Sequence, residues 1–132
     1  MVVYSETNIG LSRNENQDRV RTAILGENAV LAIVCDGMGG QNAGSEASEK
    51  AIGIIYDRIT KVLRLDADSN SIRNLLISSI NTANAVIHDL ASSSIAKKGM
   101  GTTCVTALRI NDTLYIVSVG DSRVYLVNHE LI

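Results

Sequence analysis

The chain has 132 residues with 12 basic and 14 acidic side chains, a formal net charge of −2, so no excess of basic charge draws it to nucleic acid or an anionic membrane. Its 45% apolar content rests on Ile, Leu, Val and Ala, with 4 Tyr and neither Phe nor Trp, which removes the aromatic platforms on which bases stack. The length suits a single domain over residues 1–132, no apolar run approaches the ~18–20 residues that span a bilayer, and the first residues lack a basic-then-apolar leader, which together predict a cytoplasmic protein.

In chain order, Arg19 to Leu25 and Ala29 to Cys35 are β-suited runs separated by Gly26-Glu27-Asn28, a composition that predicts a hairpin. From Ser45 to Leu63, Ala47, Ala51, Ile54, Ile55, Ile59, Val62 and Leu63 recur at intervals that put them on one face of a helix. Ser45, with Glu46 and Glu49 behind it, suits the positive end of that helix. A second helix is predicted over about Ser71 to Leu90, with Ile72, Leu75, Leu76, Ile80, Ala83, Ile87 and Leu90 as its stripe and Asp68-Ser69-Asn70-Ser71 offering caps. Thr103 to Ile110 and Thr113 to Val119 return to a strand composition around Asn111-Asp112, residues that tolerate positive φ in a tight hairpin. After Gly120-Asp121, Arg123 to Val127 reads as one more strand. Strands, two helices, then strands predict an α+β fold with helices on one face of an antiparallel sheet. Cys35 and Cys104 lie inside the apolar runs and read as buried thiols rather than a disulfide or a catalytic group.

Chemistry concentrates where strands end. Val30 to Cys35 runs into Asp36-Gly37-Met38-Gly39-Gly40, a carboxylate beside bare backbone, which suits a hard cation because Gly37 has no side chain to shield its carbonyl. Oxygen ligands of this kind match Mg2+ or Mn2+. The same segment also fits a plain strand followed by a glycine turn capped by Asp36. Neither a P-loop lysine nor a GxGxxG spacing accompanies it, which argues against a nucleotide site. Arg13 and Asp18 precede the first strand, and Asp121 sits in a turn between strands; singly, Arg13 fits a solvated loop and Asp121 a turn former.

Taken in order, Arg13 with Asn16-Gln17-Asp18, Asp36-Gly37-Met38-Gly39-Gly40, Gly101-Thr102-Thr103 and Gly120-Asp121-Ser122-Arg123 resemble the metal-dependent protein phosphatases of type 2C, above all the short bacterial ones. The resemblance implies a β-sandwich flanked by helices in αββα layers, here incomplete and amounting to the N-terminal half. It implies hydrolysis of phosphoserine and phosphothreonine in a phosphoprotein substrate by a water activated on two or three Mg2+ or Mn2+ ions. By position, Asp36 bridges metals, the Gly37 carbonyl completes one of them, Asp18 holds a metal-bound water, Asp121 belongs to a weaker third site, and Arg13 grips the phosphate through its planar fork. Gln41 stands where many relatives have a His and Gln17 where many have a Glu. Later aspartates of the family are missing, which predicts weak or no activity for this chain alone and self-association, as a homodimer, through exposed strand edges. The alternative implied by those departures is a non-catalytic half-domain that dimerises or binds a phosphoprotein.

Overall fold

A computed structural model describes residues 2–40 and 42–127. Two long hairpins and a helical pair make up the described residues: β1 (Asp18–Gly26), β2 (Ala29–Met38), α1 (Ala43–Val62), α2 (Ser69–Ser93), a single 3-10 turn at Ile95–Lys97, β3 (Gly101–Thr102), β4 (Cys104–Ile110) and β5 (Thr113–Val119). The strands form one antiparallel sheet in the order β1-β2-β4-β5, with β3 continuing the line of β4 along β2. The α+β, helix-on-sheet expectation holds. Of the expected sandwich, one sheet lies among the described residues. No helix there is long and apolar enough to cross a membrane.

Alternation along the strands decides which face is covered. Leu31, Ile33 and Cys35 of β2 and Cys104, Thr106, Leu108 and Ile110 of β4 all point to the helices and are buried. α1 lies directly on this face through Gly44, Ala47, Ser48, Ala51, Ile52, Ile55 and Ile59, and small residues in its first turns let it come close to the sheet. α2 packs beside α1 through Ile72, Leu76, Ile80, Ala83 and Ile87. The opposite face carries Val30, Ala32 and Val34 of β2 beside Val105, Ala107 and Ile116, and has no layer over it among the described residues; Val34 is 43% and Ile116 45% exposed.

Three details differ from the sequence expectation. α1 begins at Ala43 rather than Ser45, with Asn42 at the N-cap position in the left-handed region (φ 64°) making no side-chain cap bond, and the Ser45 hydroxyl donates to Glu15 instead. Thr103 interrupts its strand: its hydroxyl accepts the Asp36 N–H at 3.0 Å. Arg123 to Val127 forms no ladder, and Leu126 and Val127 are 79% and 82% exposed, since β-propensity is realised only against a neighbouring strand and none of the described strands borders the segment. Asp68 does cap α2, accepting from the Asn70 and Ser71 N–H groups, and Asn111 takes the expected positive φ (52°) in the β4–β5 turn.

One close approach seats the start of α1 on the end of β2. Gly37 passes so close to α1 that a Cβ there would lie 2.1 Å from the Gly44 carbonyl oxygen and 2.8 Å from that of Gln17. Gly53, in the middle of α1, has open space around the same position. Urea unfolding should separate the two: Gly37→Ala is expected to cost about 1–3 kcal/mol or more from overpacking against rigid backbone. Gly53→Ala is expected to gain up to ~1 kcal/mol from helix propensity.

Candidate metal and phosphate site

β1 and β2 are paired so that Asp18 lies directly across from Asp36. Cross-strand partners project to the same face, so the register alone sets two carboxylates side by side at the sheet end. They project to the uncovered face, away from the helices. Around them opens a cavity of about 670 Å³ lined by residues 8–9 and 12–18 together with Asp36, Gly37 and Asn42. Arg13 lines this cavity, and its guanidinium makes no ion pair among the described residues.

The loop carrying Arg13 is held from several points. Glu15 accepts from Ser45 in the first turn of α1 and from Gln17 Nε2 (3.1 Å), and these hydrogen bonds, Ser45's first, hold its carboxyl below the ordinary range. The Ser48 hydroxyl donates to the Gln17 carbonyl at 2.6 Å, and the Gly37 N–H reaches the same carbonyl at 3.2 Å. Arg19 spans from the Asn16 carbonyl (2.9 Å) to Glu49 (2.7 Å). The Gln17 main-chain carbonyl thus ties loop, strand and helix together, while its side-chain amide donates to Glu15 within the loop.

Asp121 reaches the same end of the sheet by a different route. The Thr103 hydroxyl that accepts the Asp36 N–H also lies 2.7 Å from the Ser122 hydroxyl, while the Thr102 hydroxyl donates to the Asp36 carbonyl at 3.0 Å. Gly120 (φ 97°) turns tightly over Thr103, with space for no Cβ: one would sit 2.8 Å from Thr103 Cγ2. Thr102, Thr103 and Ser122 therefore clamp the Asp36 backbone and tie the Asp121 turn to it. Their signal in the sequence was the Gly-Thr-Thr run, whose order was legible while its hydrogen bonds were not.

Electrostatics show which of these groups sense each other. Partial desolvation, then the charge of Asp18 and a hydrogen bond with it, then the charge of Asp121, push the Asp36 carboxyl above its ordinary 3.8; Arg13 pulls the other way. All four residues thus act on one point. Among the described residues, however, no three Asp, Glu, His or Cys side chains stand close enough together to cage an ion. Asp18 and Asp36 are the adjacent pair, and Asp121 is farther off. Two adjacent carboxylates beside a bare glycine backbone suit a hard divalent cation, as a partial ligand set. The Gln41 position lies outside the described residues.

The raised Asp36 value has a sign that can be tested without metal. A carboxyl that titrates higher in the folded chain favours folding below 3.8, and that contribution is lost as pH rises through the elevated folded value. In chelator at neutral pH, Asp36→Asn is expected to raise the Tm by removing a partly desolvated charge and its repulsion with Asp18. Well below pH 3.8 the variant and the parent should melt together.

Comparisons with known proteins give the family. The family model described as Protein phosphatase 2C matches residues 12–131. The serine/threonine phosphatase stp of Listeria monocytogenes is 36% identical over 126 residues, covering 95% of this chain and 50% of that protein. The structure of the serine/threonine phosphatase Stp1 of Staphylococcus aureus superposes with a TM-score of 0.84 at 32% identity, over 96% of this chain and 49% of that one. The catalytic domain of the phosphatase PstP, determined in complex with two manganese ions, superposes with a TM-score of 0.73 at 30% identity, over 89% of this chain and 47% of that one. The chain spans about half the length of the relatives it matches. With a family model covering residues 12–131, the chain belongs to the protein phosphatase 2C family.

Proposed function

We propose that the chain is the N-terminal half of one phosphatase domain and supplies the phosphate-gripping and part of the metal-binding machinery of a cytoplasmic serine/threonine phosphatase. The observation that carries this reading is the convergence of Arg13, Asp18, Asp36 and Asp121 on one end of the sheet, with Arg13 lacking a carboxylate partner of its own among the described residues. A bound Mg2+ or Mn2+ would supply an acidified water and offset phosphate charge. Asp36 and Asp18 would hold such an ion, with the Gly37 carbonyl as a further oxygen and Asp121 serving a more distant ion.

The chain's own residues do the positioning. Arg13 offers a planar, always charged fork to a phosphoryl group, and the Glu15, Ser45 and Gln17 hydrogen bonds fix the loop from which it reaches. Thr103 holds the Asp36 backbone in place from behind. The substrate class is a phosphoserine or phosphothreonine side chain of a protein.

A second reading keeps the fold without the chemistry: a half-domain that binds a phosphoprotein or pairs with a second copy. The lack of three clustered ligands among the described residues favours it. Complementation separates the two. With the C-terminal half of a related phosphatase supplied, the chain should hydrolyse a phosphothreonine peptide in Mn2+. Asp36→Asn should then cost about a hundredfold or more, and Arg13→Ala about 10–100-fold, mostly in KM. No turnover from a pairing in which the relative's own two halves reassemble and react would overturn the enzymatic reading.

A further inference from the structure

Behind the carboxylates lies a feature that metal and phosphate binding leave unused. The β2–β4 ladder runs Ile33 to Thr106 and Val34 to Val105, and the β2–β3 ladder resumes with Gly37 to Thr102. One step beyond Val34 sets Cys35 opposite Cys104. Asp36 and Thr103 form the next pair, joined by the Thr103 N–H to the Asp36 carbonyl at 2.9 Å and by the Asp36 N–H to the Thr103 hydroxyl. In an antiparallel ladder hydrogen-bonded and non-hydrogen-bonded pairs alternate, so Cys35 and Cys104 occupy the non-hydrogen-bonded kind, with Cα atoms about 4.5 Å apart. That spacing lies within the range a disulfide spans, ~4.4–6.8 Å.

Both side chains point to the helix-covered face, both are free thiols, and they are 0% and 4% exposed. They are not equivalent. Cys104 lines a cavity of about 300 Å³ between the helices and the strand ends, with Met100, Thr102, Asn84 and His88 along its wall, whereas Cys35 sits behind it. The Thr106 hydroxyl lies 3.5 Å from the Cys104 sulfur. The neighbouring Cys35 thiol, and after it the Thr106 hydroxyl, hold Cys104 below the ordinary thiol range.

We infer that Cys35 and Cys104 are a redox-convertible pair, closed to an intramolecular disulfide by a small hydroperoxide that enters the cavity at Cys104. Cys104 sulfur attacks one peroxide oxygen; the O–O bond breaks, and the departing alkoxide takes the Cys104 proton and leaves as alcohol. Cys104 then carries a sulfenic acid. Cys35 sulfur attacks it, the S–O bond breaks, and the hydroxide leaves as water with the Cys35 proton. The two thiols lose two electrons and two protons, and the hydroperoxide takes them up. The bond would tie β2 to β4 one residue from Asp36 and one from Thr103, so it acts on the backbone that presents the carboxylate. Close Cα spacing at the short end of the range keeps such a bond open to reduction.

Hydrogen peroxide on the folded chain, followed by thiol titration and peptide mapping, tests this without reference to any phosphatase activity. The titre should fall from two thiols to none, the mass should drop by two hydrogens, and a Cys35–Cys104 peptide should appear that dithiothreitol abolishes. Because any chain with two cysteines can pair them once unfolded, the oxidised form should also keep its circular dichroism and unfold at higher urea than the reduced form. In the presence of dimedone, Cys35→Ser should be labelled at Cys104, and Cys104→Ser should leave Cys35 unlabelled. Unreacted thiols, a sulfinic acid, a cross-linked dimer, or an oxidised chain less stable than the reduced one would each overturn the inference.

Discussion

Everything at the candidate site depends on a register. Asp18 faces Asp36 because the β1–β2 hairpin closes with Val20 opposite Val34 and Thr22 opposite Ala32, and a slip of one residue would turn Asp18 into the helix-covered core. The pairing is costly in isolation. Partial burial disfavours the charged form of Asp36, Asp18 in the adjacent strand and then Asp121 in the Gly120–Ser122 turn repel it, and Asp36 responds by holding its proton more tightly. The fold tolerates that cost because the ladder behind it, Leu31 against Leu108 and Ile33 against Thr106, is fully buried on the helix-covered face.

A carboxylate pair held against its own repulsion is a site waiting for opposite charge. Arg13 provides some of it from across the cavity, and a divalent ion would provide more. The surrounding hydrogen bonds spend their geometry on keeping these groups in place: Ser48 and Gly37 on the Gln17 carbonyl, Thr102 and Thr103 on Asp36, Ser122 on Thr103. Such support is what distinguishes a preorganised site from acidic residues scattered on a surface.

Much of this was legible in the sequence because it rests on local rules. The two helical stripes, the Asn111-Asp112 turn and the capping Asp68 follow from periodicity and turn chemistry, and they appear close to where their residues predict, except that α1 buries Ile52 and leaves Val62 58% exposed. The order of the four motifs brought out the family. What escaped was non-local. Gln17, which reads as a weakened substitute for a charge, matters through its main-chain carbonyl, which receives two donors. Ser45, which reads as a cap, instead anchors Glu15. Arg123 to Val127 has the composition of a strand, and composition cannot say whether a neighbour is there to pair with. The opposition of Cys35 and Cys104 needs the register, which neither cysteine announces.

Titrating Mn2+ into isotopically labelled chain and following paramagnetic broadening of its amide signals tests the central claim most directly. The account predicts that Asp18, Asp36 and Gly37 broaden first, that Gly120 and Asp121 follow at higher metal, and that Asp36→Asn removes the early effect. Early broadening at acidic residues far from this sheet end, such as Asp57 or Asp66, with Asp18 and Asp36 unaffected, would contradict it.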